Sequence, residues 1–562
     1  MDSNQLEQEI SQGEAVEREF KSDRKRLRDE TIYEEIVAMA NSVGGVLFIG
    51  VEDDGQITGA QPRHGKNTEP LKLQSAIFNN TVPSINTRIA VVEHADGMVI
   101  RIETDPYPEV CATTAGKSLR RQVGPDGKPQ SVPFYPRDQR SRRTDLGLLD
   151  FSAEVIGDIT FDDLDPLEFE RLRQTISRLR GDKALLEISN EEIAKALQLV
   201  ESRKGQLYAN VTGVLLLGRT ETLQKVMPTN AVNFQVFDSQ SNVKVNDTFR
   251  FPLLRTIEEI ATRFEARNEE QEVLVGMFRV PVPNYSDIGF REAVNNTILH
   301  RDYSRLEDIY IQWYPDHILV TSPGAFLPGI TTENILVHEP KPRNPRLAEA
   351  FKRIGLIEKT GRGVDKIYAG QVRYGRPAPD YSRTDEYGVR VILHGGKGSL
   401  QFTAFVYEQE KSDGKPLDLD ELLVLNHLFF DRRADSERMG RLIQKGTAQG
   451  HAVLERLVER GLVEAKGEKK GRVYHLHATL YAQLGNPSGY VRTRGFESIQ
   501  QEQMILQYID AHGKIKRTDA MELCHLSKDQ AYRILKRMCS SNVLELVGGA
   551  SKESHYIRFI KD

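Results

Sequence analysis

The chain has 562 residues, 28% charged and 39% hydrophobic, with a formal net charge of −5. That length predicts three or four domains, and the mildly acidic balance excludes a globally basic nucleic-acid binder, leaving only local basic surfaces. Cys111, Cys524 and Cys539 lie too far apart for a disulfide framework or a zinc motif, the polar N-terminus does not read as a signal peptide, and no apolar run could span a bilayer; a cytoplasmic location with no membrane partner is expected.

The first informative stretch is Glu19-Phe20-Lys21, which reads as the start of a strand with Phe20 facing a core and Glu19 and Lys21 facing the other way. A helix is predicted from about Thr31 to Ser42, with Ile32, Ile36, Val37, Met39 and Ala40 as its apolar stripe and Gly44-Gly45 as its stop. Val46 to Val51 reads as a buried strand, left by the turn Glu52-Asp53-Asp54-Gly55. If the two strands neighbour each other, Asp53 approaches Glu19. Three acids around one point (Glu14, Glu19, Asp53) repel unless a cation neutralises them, and oxygen ligands of this kind suit magnesium or manganese. Lys21 among them can hold a phosphate. The same acids also read as the solvated rim of a non-catalytic groove.

These residues resemble a known family. Glu14, Glu19-Phe20-Lys21, Ala38 to Gly45 and Gly50 to Gly55 are similar to the Alba-like domain of Schlafen proteins and their bacterial relatives. The resemblance covers about the first quarter of the chain. It implies a metal-dependent nuclease site for transfer or ribosomal RNA, with Glu14, Glu19 and Asp53 as metal ligands and Lys21 beside them. Two basic stretches lie in the same region. One runs from Lys21 to Arg28; the other passes through Lys117, Arg120, Arg121, Lys128 and Arg137 to Arg143. Arg120 and Arg121 are candidates to touch nucleic acid.

A helix near Leu71 to Phe78 and strands at Ile85 to Glu93 and Met98 to Glu103 follow. Ser131 to Asp145, rich in arginine and proline, reads as a loop or linker, and the first domain is placed at residues 1–145. The second, residues 146–400, opens with a helix at Leu164-Asp-Pro166 and another capped near Ser189. Val211 to Gly218 is a buried strand or a short apolar helix; its period does not decide. Phe251 to Phe264 reads as an amphipathic helix. Arg291 to Tyr303 is a helix with Glu292 and Asn296 four apart on one face, followed by strands Ile309 to Tyr314 and His317 to Thr321. Such a pair can position a water and a magnesium ion against a phosphate, and the turn at Gly361 and Gly363 offers backbone donors at a helix start.

This segment resembles the divergent GHKL-type ATPase module often found behind the Alba-like domain. The resemblance implies magnesium and ATP at Glu292 and Asn296, with Gly361 and Gly363 around the phosphates. Where that module reads adenine with Asp-x-Gly-x-Gly, this chain has Ser322-Pro323-Gly324, and Gly324 is taken as a nucleotide-binding candidate beside Glu292, Asn296, Gly361 and Gly363. No Walker A sequence is present, which argues against a translocating helicase.

Two similar units close the chain, at residues 415–482 and 495–562. Each reads as three helices and a hairpin, the winged helix-turn-helix plan. In the second, Ser527 caps a recognition helix with Ala531, Ile534, Leu535 and Met538 inward and Lys528, Arg533 and Lys536 available to DNA or RNA. Winged helices also serve as dimerisation modules, and a homo-oligomer is expected. The fold expected is a multidomain α+β chain. Its function is expected to be a nucleotide-responsive endonuclease with a Schlafen-like site, acting on RNA rather than DNA and suited to antiviral defence. The alternative is an ATP-responsive transcriptional regulator without nuclease activity.

Overall fold

The computed structural model describes residues 3–124, 126–275, 277–358, 361–396, 398–467, 472–477, 480, 498–524, 526, 528–541, 543–547 and 554–559. At the N-terminus, strand Arg18–Lys21 runs parallel to Gly45–Ile49, which pairs antiparallel with Gly97–Thr104 and through it with Thr87–His94. A parallel pair needs a crossover, and helix Asp29–Ala40 supplies it. Ile32, Ile36, Val37 and Met39 of that helix pack on Leu47, Ile49, Ile100 and Ile102. The opposite face of the sheet carries Phe20, Phe48 and Val99 and is covered by Leu6 and Ile10 of helix Ser3–Ile10. Phe20 thus faces one helix. Glu19 and Lys21, one residue to either side, face the other, as the pleat requires.

Residues 131–145 are not an irregular linker. Leu119–Val123 and Pro129–Pro133 form a hairpin, and Pro136–Asp145 is a helix with proline in its first turn. It has no apolar stripe, because its partners are carbonyl groups and charges from two domains.

The middle region holds a five-stranded sheet in the order Val243–Phe249, Val232–Phe237, Ile309–Trp313, His317–Pro323, Gly388–His394. The ambiguous apolar run is a helix, Val211–Leu217, started by Asn210, whose side chain accepts from Gly213 N at 2.9 Å. Helices Asp287–His300 and Gly363–Val372 lie against each other. One buried apolar cluster runs from Leu164 through Phe402 and Leu425 to Leu480. The boundary expected near residue 400 is therefore one of topology and not of packing.

The C-terminal elements arrive in the expected order. Leu419–Asp431, Ser436–Leu442 and Thr447–Glu459 precede the antiparallel pair Val463–Lys466 and Val473–Leu476. Ser498–His512, Arg517–Cys524 and Lys528–Ser540 precede Leu544–Val547 and His555–Arg558. The second set has its own core, built on Ile505, Ile509, Leu535 and Met538.

Candidate functional site

In the N-terminal domain the acids and bases converge under helix Asp29–Ala40. Glu19 is 6% exposed. Lys21 donates to its Oε1, and the Arg121 Nη1 lies 2.6 Å from its Oε2. Glu35, one turn into the helix core, sits 3.2 Å from Lys21 Nζ and accepts from the Ser131 hydroxyl at 2.6 Å. The Arg121 side chain is wholly buried and also donates to the carbonyls of Ala15 and Val16. Burial opposes the charge on Lys21, but Glu35 and Glu19 outweigh it and hold the ammonium above its ordinary pKa.

Glu14 accepts from the backbone N–H of Phe20 at 3.1 Å. Burial raises its carboxyl above the usual range; Phe20 works against that, and Glu19 and Asp53 add to it. Asp53 is exposed. Among the described residues, no group of three or more His, Cys, Asp or Glu is arranged to hold a metal ion. The expectation that only a divalent ion makes these acids tolerable is therefore corrected: Glu19 is neutralised by Lys21 and Arg121, at both of its oxygens. Arg121 is likewise corrected as a nucleic-acid contact, being a buried clamp. Arg120 donates to Gln122 and lies 4.0 Å from Asp138, with its side chain 23% exposed. No local pattern marks Arg121 as internal, because its acceptors lie about a hundred residues earlier.

In the middle region the structure brings Glu292, Asn296 and Gly363 together. Glu292 is 3% exposed. A Cβ on Gly363 would stand 3.2 Å from its Oε2 and 3.3 Å from the Asn296 amide. Lys366 Nζ lies 3.4 Å from Glu292 and 2.6 Å from Glu358. Asn295, missed in the sequence, is fully buried and donates to Leu356 O at 2.9 Å, tying the glycine turn to the helix. Gly361, at φ +66°, backs onto Pro340, whose ring a Cβ would overlap.

Gly324 does not join this group. At φ +98° it lies under the Arg343 guanidinium and against Asp302. Arg343 Nε is 3.0 Å from Asp145, and Ser141 donates to Asp302. Both Ser141 and Asp145 belong to helix Pro136–Asp145. Arg142 of the same helix donates to the carbonyls of Ala40, Ser42 and Tyr107 in the N-terminal domain. One short helix thereby reaches into both domains. Burial pushes the Asp145 carboxyl up to about 6, and burial pushes the nearby His300 down to about 4.

At the C-terminus, Ala531, Ile534, Leu535 and Met538 are buried while Lys528, Arg533 and Lys536 are exposed. Lys536 Nζ lies 5.6 Å from the Tyr532 ring centroid. The expected cap, Ser527, lies outside the described residues. In the preceding unit Lys445 and Arg456 pair with Asp420 and Asp418.

Residues 14–127 match the family model described as "Schlafen, AlbA_2". Residues 307–393 match "Putative ATP-dependent DNA helicase recG C-terminal", and residues 140–233 match a domain of unknown function, DUF8451. No curated protein matches the chain. Among solved structures, the crystal structure of the DIP2311 protein from Corynebacterium diphtheriae is similar over 99% of both chains, with 20% identity and a TM-score of 0.50. That likeness is one of fold. The domains define a mixed α+β protein with a nucleic-acid-related function and an ATPase-like module. Residues 14–127 carry a Schlafen-type Alba-like domain, and residues 307–393 carry an ATPase-like domain behind it. Among the described residues, no helix is long and apolar enough to cross a membrane.

Proposed function

We propose that the chain is a nucleotide-responsive regulator that binds nucleic acid, the non-nuclease alternative of the sequence analysis. The observation that carries this reading is the meeting of Glu292, Asn296 and Gly363 in the ATPase-like region. A carboxylate and an amide one helical turn apart suit a magnesium–phosphate group. Gly363 opens the facing helix without a side chain that would crowd them, and Lys366 brings positive charge to the same point. Magnesium, when bound with ATP, would offset the phosphate charge there. Glu292 and Asn296 would orient it.

Each C-terminal set of three helices and a hairpin reads as a winged helix. The second is the better nucleic-acid module, since Lys528 and Lys536 stay exposed while Lys445 and Arg456 of the first are engaged by acids. The Schlafen-type domain supplies a second contact region.

The test is calorimetric titration of ATP with magnesium into wild-type protein and Glu292→Gln, with duplex binding measured in each state. Tight nucleotide binding by wild type, lost in Glu292→Gln, together with a nucleotide-dependent change in duplex affinity, supports the reading. Equal ATP binding by both proteins rejects the site.

A second reading, endonuclease activity, draws on Glu14, whose carboxyl feels both Glu19 and Asp53. It is tested by incubating structured RNA with manganese and comparing wild type with Glu19→Gln. Equal cleavage by the two rejects the assignment.

A further inference from the structure

The segment between strand Arg18–Lys21 and helix Asp29–Ala40 is short, exposed and basic, and it is fastened from beneath. Asp23 and Arg63 form an ion pair at 2.8 Å in which both side chains are 0% exposed. Removing two charges from water is costly and returns little net stability, so such a pair acts mainly by fixing one geometry. Here it fixes the loop at both ends. Asp23 accepts from Leu27 N and Gln61 N, each at 2.6 Å. Arg63 donates to Leu27 O at 2.9 Å and to Asp29 at 2.8 Å.

What the anchored backbone presents is a row of cations. Arg24, Lys25, Arg26 and Arg28 are all exposed. Arg24 reaches Glu52 at 3.2 Å, which lays the loop beside the turn that carries Asp53. Among the described residues, Lys25, Arg26 and Arg28 enter no ion pair. Three cations within four residues of one anchored loop are thus left exposed with no carboxylate of the described residues at ion-pair distance. Like charges carried so near one another along the chain repel, and a polyanion relieves that repulsion. A loop already held in shape also loses less freedom when it binds.

We infer that residues 24–28 form a preformed phosphate grip, in which Lys25, Arg26 and Arg28 contact the phosphodiester backbone of a bound nucleic acid. The inference rests on the reading that this protein binds nucleic acid, and it assigns part of that binding to a loop of the N-terminal domain. Phosphate contacts set affinity and position without reading sequence, so duplex RNA and duplex DNA should both engage the loop.

The experiment uses the full chain and its Lys25→Glu/Arg26→Glu/Arg28→Glu variant. Fluorescence anisotropy with labelled RNA and DNA duplexes is followed over a series of potassium chloride concentrations. All three positions are on the surface, and an unchanged thermal midpoint confirms folding. The expected result is an affinity at least about tenfold weaker and a salt slope smaller by about 2 to 3, close to one released counterion per lost contact. Wild-type binding with affinity and slope unchanged in the variant overturns the grip and leaves the general reading intact. No saturable binding of either duplex by wild type overturns both. Loss of binding to anionic lipid vesicles in the variant, with duplex binding untouched, also overturns it and assigns the loop to a membrane surface.

Discussion

Gly363 faces Glu292 so closely that a Cβ on the glycine would stand 3.2 Å from the carboxylate Oε2. That spacing is tighter than ordinary van der Waals contact, so any side chain at residue 363 must displace Glu292, Asn296 or the start of its own helix. Gly363→Val is expected to weaken ATP binding by at least about tenfold, the cost of a misplaced contact in a polar site (roughly 1.4 kcal/mol or more). Calorimetric titration checks this, and an unchanged circular dichroism spectrum shows that the helix survives. Undiminished ATP affinity would separate Gly363 from the nucleotide site.

Arg121→Ala removes the buried cation between Glu19 and Glu35. Breaking a buried ion pair by deleting one partner costs about 3–5 kcal/mol, because the other charge is left in a poor solvent. The expected outcome is a large drop in the denaturant midpoint, partly restored when Glu19→Gln and Glu35→Gln are added. A surface arginine would show neither effect.

The two groups flanking Arg343 should respond to pH in opposite senses. Asp145 titrates near 6 in the folded chain and near 3.9 when unfolded, so the folded state holds the extra proton between those values. Its contribution is present at low pH and is lost as pH rises through about 6. His300 titrates near 4 folded and near 6.5 unfolded; its contribution is present at neutral pH and is lost as pH falls through that window. Thermal midpoints between about pH 4 and 6 should therefore climb more steeply with pH in Asp145→Asn than in wild type. In His300→Gln they should climb less or fall. Parallel curves for all three proteins would refute the assignment.

Lys528→Glu/Lys536→Glu changes two exposed positions on helix Lys528–Ser540 without touching the buried Ala531, Leu535 and Met538. Duplex affinity should fall and the salt slope should drop by about 2, one contact each. An unchanged slope would remove this helix from the interface.

Elements whose signal is local were legible in the sequence. The stripe Ala531, Ile534, Leu535 and Met538 is buried as its spacing required, and Ser189 caps helix Asn190–Ala196 with a full capping box. The one-face pairing of Glu292 and Asn296 follows from helical periodicity alone, and strands Ile309–Trp313 and His317–Pro323 fall where the hairpin was expected. Features that depend on distant partners were not legible. Arg121 looks like any surface arginine until the strand it sits on is laid over Glu19. Helix Pro136–Asp145 has no apolar periodicity because its acceptors, such as Ala40 O and Asp302, come from both sides of the chain. That Gly324 stands apart from Glu292 and Gly363 was hidden for the same reason: its neighbours, Arg343 and Asp302, are set by tertiary packing.

Helix Pro136–Asp145 works as a rivet. With Arg142 seated in the carbonyls of one domain and Asp145 against Arg343 of the next, neither body can tilt without shearing polar bonds at the other end. Polar bonds from this one helix therefore hold the end of helix Asp29–Ala40 and the Arg343 segment in a single fixed relation. A protein trimmed ahead of Pro136 would tear open two surfaces at once.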